Sequence, residues 1–134
     1  MSHVKVADDI LDRLRDRDPR FHPKAYLFVL SALHHVMGGM SKPRHITGWE
    51  LAVGVRDLAL REFGLLARMV LGHWGVHATD DVGEIVFALV EAGILVKQEE
   101  DRIRDFHALF DFEDVFERNY PWVIGSGGGS GGGS

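Results

Sequence analysis

The chain has 134 residues, of which 46% are hydrophobic and 26% charged, with no cysteine and a formal net charge of −5. That composition describes a soluble globular protein and excludes disulfide scaffolds, thiolate metal sites and cysteine nucleophiles, while no apolar run approaches the ~20 residues of a membrane-spanning helix. The last ten residues, GSGGGSGGGS, read as an engineered flexible linker, so residues 1–124 are expected to form one domain and residues 125–134 a tether.

The amino terminus, MSHVKVADDI, lacks the apolar stretch of a secretory signal, so a cytoplasmic location is expected. Val6, Ile10, Leu11 and Leu14 then recur at helical spacing opposite Asp8, Asp9, Asp12 and Asp16, which predicts an amphipathic helix ended by Asp18-Pro19. A second helix is expected from Pro23 to about Met37, stopped by Gly38-Gly39 and apolar on nearly every side. A loop with a short strand at 44–46 leads to Thr47-Gly48-Trp49-Glu50. This matches the S/T-x-x-E capping box and opens a third helix to Glu62.

A fourth helix is expected over 65–73, with Trp74-Gly75 as its stop. Thr79, Asp80 and Asp81 are N-cap candidates for a fifth, helix 81–92, with Asp81 and Glu84 at capping-box spacing and Gly93 just past its end. Beyond Gly93, Ile94 to Lys97 reads as a strand, the polar run 98–101 as a turn and Arg102 to Phe106 as the returning strand of a β-hairpin. A short helix from Glu113 to about Arg118 is expected to pack back on the core. The expected fold class is thus α+β, mostly helical, with about five helices and a C-terminal hairpin.

This order, with VEAGILVKQ at the last helix-to-strand junction, resembles the winged-helix family over residues 45–112. The resemblance implies that helix 81–92 would read a DNA major groove. That helix, however, carries Glu84 and Glu91 and has no Lys, Arg, Asn or Gln with which to contact bases or phosphates. The charge distribution reinforces the point. Residues 1–40 hold six Lys/Arg and five Asp/Glu, residues 41–73 five and three, and residues 74–124 four and twelve. The acidic excess therefore belongs to the last third, which repels nucleic acid and favours a basic protein partner.

The segments DPRFHPKAYLFVLSAL, RHITGWELAVGVRDLALREFG, VLGHWG and DDVGEIVFALVEAGILVK also resemble a small family described mainly from Planctomycetes and Verrucomicrobia. No activity is assigned to that family, so the resemblance implies a grouping and no site residues.

A non-catalytic protein-interaction or regulatory module is the expected function. Its partner surface is expected at Glu84 and Glu91 with Glu99, Glu100 and Asp101 of the hairpin. An alternative is a nucleic-acid-binding regulator using Lys42, Arg44, Arg61 and Arg68. A second is a sensor of small anionic ligands built on helix 23–37 and Arg56, which the helical wheel places in an apolar arc with Trp49, Ala52, Val53, Leu60 and Phe63. Burial there requires a carboxylate partner, for which Glu50, Glu84 and Asp111 are candidates. Alongside Arg56, His45, Thr47 and Glu50 are structural or anion-binding candidates. The eight histidines lack metal-ligand spacing, no nucleophile elbow or phosphate loop is present, and no metal, cofactor or enzyme activity is expected. A homodimer through Leu27 and Phe28 is left open.

Overall fold

The computed structural model describes residues 12–14, 16, 18–41, 45–96 and 102–118. Residues 12–14 and 16 are helical and bring Leu14 into the core, after which Asp18 closes back on the Leu14 carbonyl at 2.9 Å. Four α-helices follow: α1 (Pro23–Gly38), α2 (Gly48–Phe63), α3 (Ala67–His73) and α4 (Thr79–Glu91), with a 3-10 turn at Gly64–Leu66 between α2 and α3. A second 3-10 turn (Ile103–Phe106) and a π-helical turn (Asp114–Arg118) complete the architecture.

Local chemistry sets each helix start. His22 caps α1 by accepting the Lys24 amide on Nδ1 at 3.0 Å, and Pro23 occupies the first turn, where its missing N–H is no loss. At α2 the capping box forms reciprocally, with Thr47 Oγ1 accepting from the Glu50 amide at 3.1 Å and Glu50 Oε1 from the Thr47 amide at 3.0 Å. The start of α4 differs from the expectation. Asp81 is the capping side chain, its Oδ2 accepting the amides of His77 at 2.8 Å and Ala78 at 3.2 Å, while Thr79 and Asp80 turn to other uses.

Helices α1 and α2 pack closely because Gly54 faces Val36: a Cβ at position 54 would lie 2.4 Å from Val36 Cγ2. Tyr26, Val29 and Ala32 of α1 and Leu51, Val55 and Leu58 of α2 form one wall of the core, and Val82, Ile85 and Leu89 of α4 close it. Each such aliphatic side chain contributes roughly 1.5–3 kcal/mol through burial. Phe28, Phe63 and Trp74 form a triangle with every pair of ring centroids 5.6 Å apart, tying α1 to the end of α2 and to the turn after α3.

The α+β winged-helix expectation is overturned: among the described residues there is no strand. Gly93, at φ +81°, ends α4 as expected, but the chain then folds back, with the Ile94 and Leu95 amides both donating to the Leu89 carbonyl at 2.9 and 3.3 Å. Ile94 and Leu95 are half-buried against the core instead of pairing with a neighbour. The expected returning strand is a 3-10 turn closed by Asp105, whose Oδ2 accepts the Arg102 amide at 3.0 Å. Strand alternation would also have put Phe106 on the face of Arg102 and Arg104, yet Phe106 is buried and both arginines are exposed. The polar turn expected at 98–101 lies outside the described residues. The expected strand at 44–46 is not formed at His45 and Ile46, and Arg44 lies outside the described residues.

The chain from 102 to 118 wraps the helices. Phe106 seats in a notch made by Gly83, where a Cβ would come within 2.8 Å of the Phe106 side chain. Phe112 and Phe116, with centroids 5.1 Å apart in a T-shaped arrangement, are both buried, so the segment ending at Arg118 does return to the core.

Candidate functional site

The acidic face of helix 81–92 is the first place to look. Glu84 is engaged within the protein: its Oε1 accepts a hydrogen bond from Arg20 Nη2, and the same guanidinium bonds Asp18 at 3.2 Å and lies 3.9 Å from Asp81. The bonds to Glu84 and Asp18 hold the Arg20 guanidinium pKa above its ordinary value. Arg20 thus crosses from the loop before α1 to neutralise this part of α4. Glu91 is exposed, one turn past Phe87. Glu99, Glu100 and Asp101 lie outside the described residues.

Arg56 is half-buried rather than enclosed, and its partner is the adjacent Asp57, with Nε and Nη2 each 2.9 Å from Oδ1. None of the expected carboxylates, Glu50, Glu84 or Asp111, is bonded to it in the described contacts. Its guanidinium lies 6.0 Å from the Phe110 ring centroid, and Trp49 meets the same ring edge-on at 6.1 Å. The arc around Arg56 is therefore a surface covered by Phe110, with Trp49 still 52% exposed. Thr47 and Glu50 serve the helix cap.

Of the basic residues of the nucleic-acid alternative, the described ones, Arg61 and Arg68, each lie beside a carboxylate. Arg68 bonds Glu117 at 2.7 Å, which raises its pKa, and Arg61 lies 3.9 Å from Glu62. Lys42 and Arg44 lie outside the described residues. Among the described residues no three His, Asp or Glu side chains converge as a metal-ligand set. No helix among them is long and apolar enough to cross a membrane. A shallow depression of about 550 Å³ between α1 and α2 holds Ser31, His34, His35 and Arg61 beside Glu62.

A smaller, more enclosed concavity lies elsewhere. An apolar groove of about 210 Å³ opens between the C-terminal half of α1, the start of α2 and the outer face of α4. Leu33, Leu51, Val86, Phe87, Val90 and Leu95 wall it, and Phe106 contributes to its lining. Met37 and Val96, 41% and 86% exposed, form apolar lips. His45, Arg102 and Asp105 supply the polar groups. Among the described residues that the sequence offers as site candidates, His45 and Thr47 line it. The groove depends on the fold-back at Ile94 and Leu95 and on the 3-10 turn, so it was hidden by the hairpin expectation. The legible signal was Phe87, an aromatic residue one turn before Glu91 on a helix already apolar at Val86 and Val90.

A second device missed in the sequence fixes this end of the molecule. Thr79, fully buried, donates from Oγ1 to the Phe106 carbonyl at 2.6 Å and accepts the Leu109 amide at 3.0 Å. Asp80 accepts the Ala108 amide at 3.0 Å and meets His107 Nδ1 at 2.7 Å, and these bonds, the backbone one foremost, hold its carboxyl below the ordinary range. Ala108 takes the left-handed conformation, φ 47°, that this docking requires.

Comparison with protein-family models, curated proteins and solved structures yields no match to this chain.

Proposed function

We propose that this protein is a cytoplasmic, non-catalytic interaction module whose apolar groove receives one large apolar side chain from a basic segment of a partner protein. The observation that carries the reading is the groove itself, an apolar slot with exposed apolar lips at Met37 and Val96. Its volume of about 210 Å³ is below the ~300–1,000 Å³ of typical small-molecule sites, and suits a single anchoring residue. Desolvated pockets that take one such anchor carry much of the energy at protein interfaces.

Charge favours a basic partner. Asp105 lines the groove and Glu91 follows Val90 on α4. Glu99 stands three residues beyond Val96, at most about 10 Å of extended chain, with Glu100 and Asp101 next. Lys97, Arg102 and Arg104 oppose this field with three positive charges, so acids stand at five against three over residues 91–105. Glu84 drops out of the proposed surface because Arg20 already engages it. Membership of the Planctomycetes and Verrucomicrobia family belongs to the same proposal and rests on the shared segments alone.

The test is fluorescence polarisation against labelled peptides that vary two features: a central Leu or Phe against Gly, and flanking Lys/Arg against Glu. The expected result is binding only when the apolar anchor and the basic flanks are both present, weakened by Val86→Gln and by Asp105→Lys and unchanged by Glu84→Gln. Equal binding of the Gly-centred peptide, or preference for acidic flanks, overturns the proposal.

A further inference from the structure

Away from the groove, Leu65, Leu66 and Met69 are 49%, 55% and 69% exposed. Their spacing, across the 3-10 turn and the first turn of α3, puts all three on one face, while Ala67 and Leu71 are buried on the other. Three large apolar side chains grouped in this way form an exposed apolar face of the kind that marks a contact site.

What lies beside that face is the exit of the described chain. The π-helical turn Asp114–Arg118 packs against both the 3-10 turn and α3. Its Glu117 is held by Arg68, the residue adjacent to Met69, at 2.7 Å. Arg118 is fixed in turn by Glu113 at 3.1 Å and Asp114 at 2.7 Å. The sequence then continues Asn119-Tyr120-Pro121-Trp122-Val123-Ile124, five apolar or aromatic residues after one polar residue, before the Gly/Ser linker. Four residues beyond Arg118 span up to about 13 Å, and they leave a turn already packed against the 3-10 turn and α3, which directs Trp122 toward that face. A tether this short gives an effective concentration in the millimolar range, above that of any partner or second copy at ordinary cellular levels.

We infer that residues 120–124 dock on the Leu65, Leu66 and Met69 face of the same chain, with Trp122 as the principal contact. The Arg68–Glu117 ion pair acts as the clip that delivers the segment there. The inference is independent of the groove and stands or falls without it.

The experiment is 19F NMR of the full chain with 5-fluorotryptophan at positions 49, 74 and 122, the Trp122 signal being identified by its loss in Trp122→Phe. Docking predicts a Trp122 resonance away from the solvent-exposed position, with a small H2O/D2O isotope shift. It should move to the exposed position in Leu66→Gln/Met69→Gln, and the unsubstituted spectrum should not change with concentration. Since these substitutions are on the surface, Trp49 and Trp74 should keep their positions and report an intact fold. A Trp122 signal already at the exposed position overturns the inference. So does one that leaves it only as concentration rises and the sedimenting mass doubles, because the cover would then be a second copy.

Discussion

Thr79 and Phe106, 27 residues apart, are joined by a 2.6 Å hydrogen bond from the Thr79 hydroxyl to the Phe106 carbonyl, inside a fully buried site. The same hydroxyl receives the Leu109 amide, so one side chain at the first turn of α4 satisfies two backbone groups of the wrapping segment. Substituting valine keeps the shape and removes both bonds, leaving a buried carbonyl and amide unmatched at about 1–3 kcal/mol. Chemical denaturation of Thr79→Val should show that loss, and Thr79→Ser should recover most of it.

Gly83 and Phe106 define the notch on the other side of the same segment. An alanine at 83 would put Cβ 2.8 Å from the Phe106 side chain, so Gly83→Ala should destabilise by about 1–3 kcal/mol, as overpacking does, despite the better helix propensity of alanine. Pairing it with Phe106→Leu should give a combined loss smaller than the sum of the two single losses, measured as a double-mutant cycle.

Gly54 and Val36 make a sharper sign test. Val36 is β-branched and cannot swing its methyl aside at little cost, so Gly54→Ala alone should lower the melting temperature. In a Val36→Ala background the 2.4 Å clash is gone, and Gly54→Ala should then raise stability by roughly 1 kcal/mol, the helix-propensity difference.

Asp80 predicts a pH dependence. Its folded-state pKa is depressed, chiefly by the Ala108 amide and next by His107. The stability it contributes is therefore fully present above the unfolded-state value of about 3.9 and is lost as pH falls through the lower folded value. Asp80→Asn should consequently lower stability at pH 6 and show a smaller further loss between pH 5 and pH 2 than the unsubstituted protein.

The helical frame was legible because its signals are local. Pro23 in a first turn, the Thr47/Glu50 box and Gly93 after α4 each act within a few residues, and the structure has them where the sequence put them. The hairpin failed for a physical reason: Ile94 and Leu95 are apolar enough for a strand, but their amides close onto Leu89, and Asp105 caps its own turn through the Arg102 amide. The stretch 102–106 does not alternate cleanly, since Phe106 shares its parity with Arg102 and Arg104, but no local pattern shows that its one buried residue is held by a glycine 23 positions earlier. Arg56 has a carboxylate partner, but it is the adjacent Asp57 on a half-buried site. The wheel placed it correctly among Trp49, Val53 and Leu60, but whether that arc faces the core depends on the remote Phe110. Glu84 read as part of a partner-binding face or as a partner for Arg56 because its actual partner, Arg20, lies 64 residues away.

If the groove between α1, α2 and α4 is the surface that binds, rather than the acidic face of α4 or the Arg56 arc, 15N chemical-shift mapping of the full chain with a basic peptide carrying a single Phe anchor will show it. Saturable shifts should concentrate at Leu33, Thr47, Val86, Phe87, Val90 and Leu95 and be lost when the anchor is replaced by glycine. Shifts centred on Arg20 and Glu84, or on Trp49, Arg56 and Phe110, with the groove resonances unmoved, would contradict that reading.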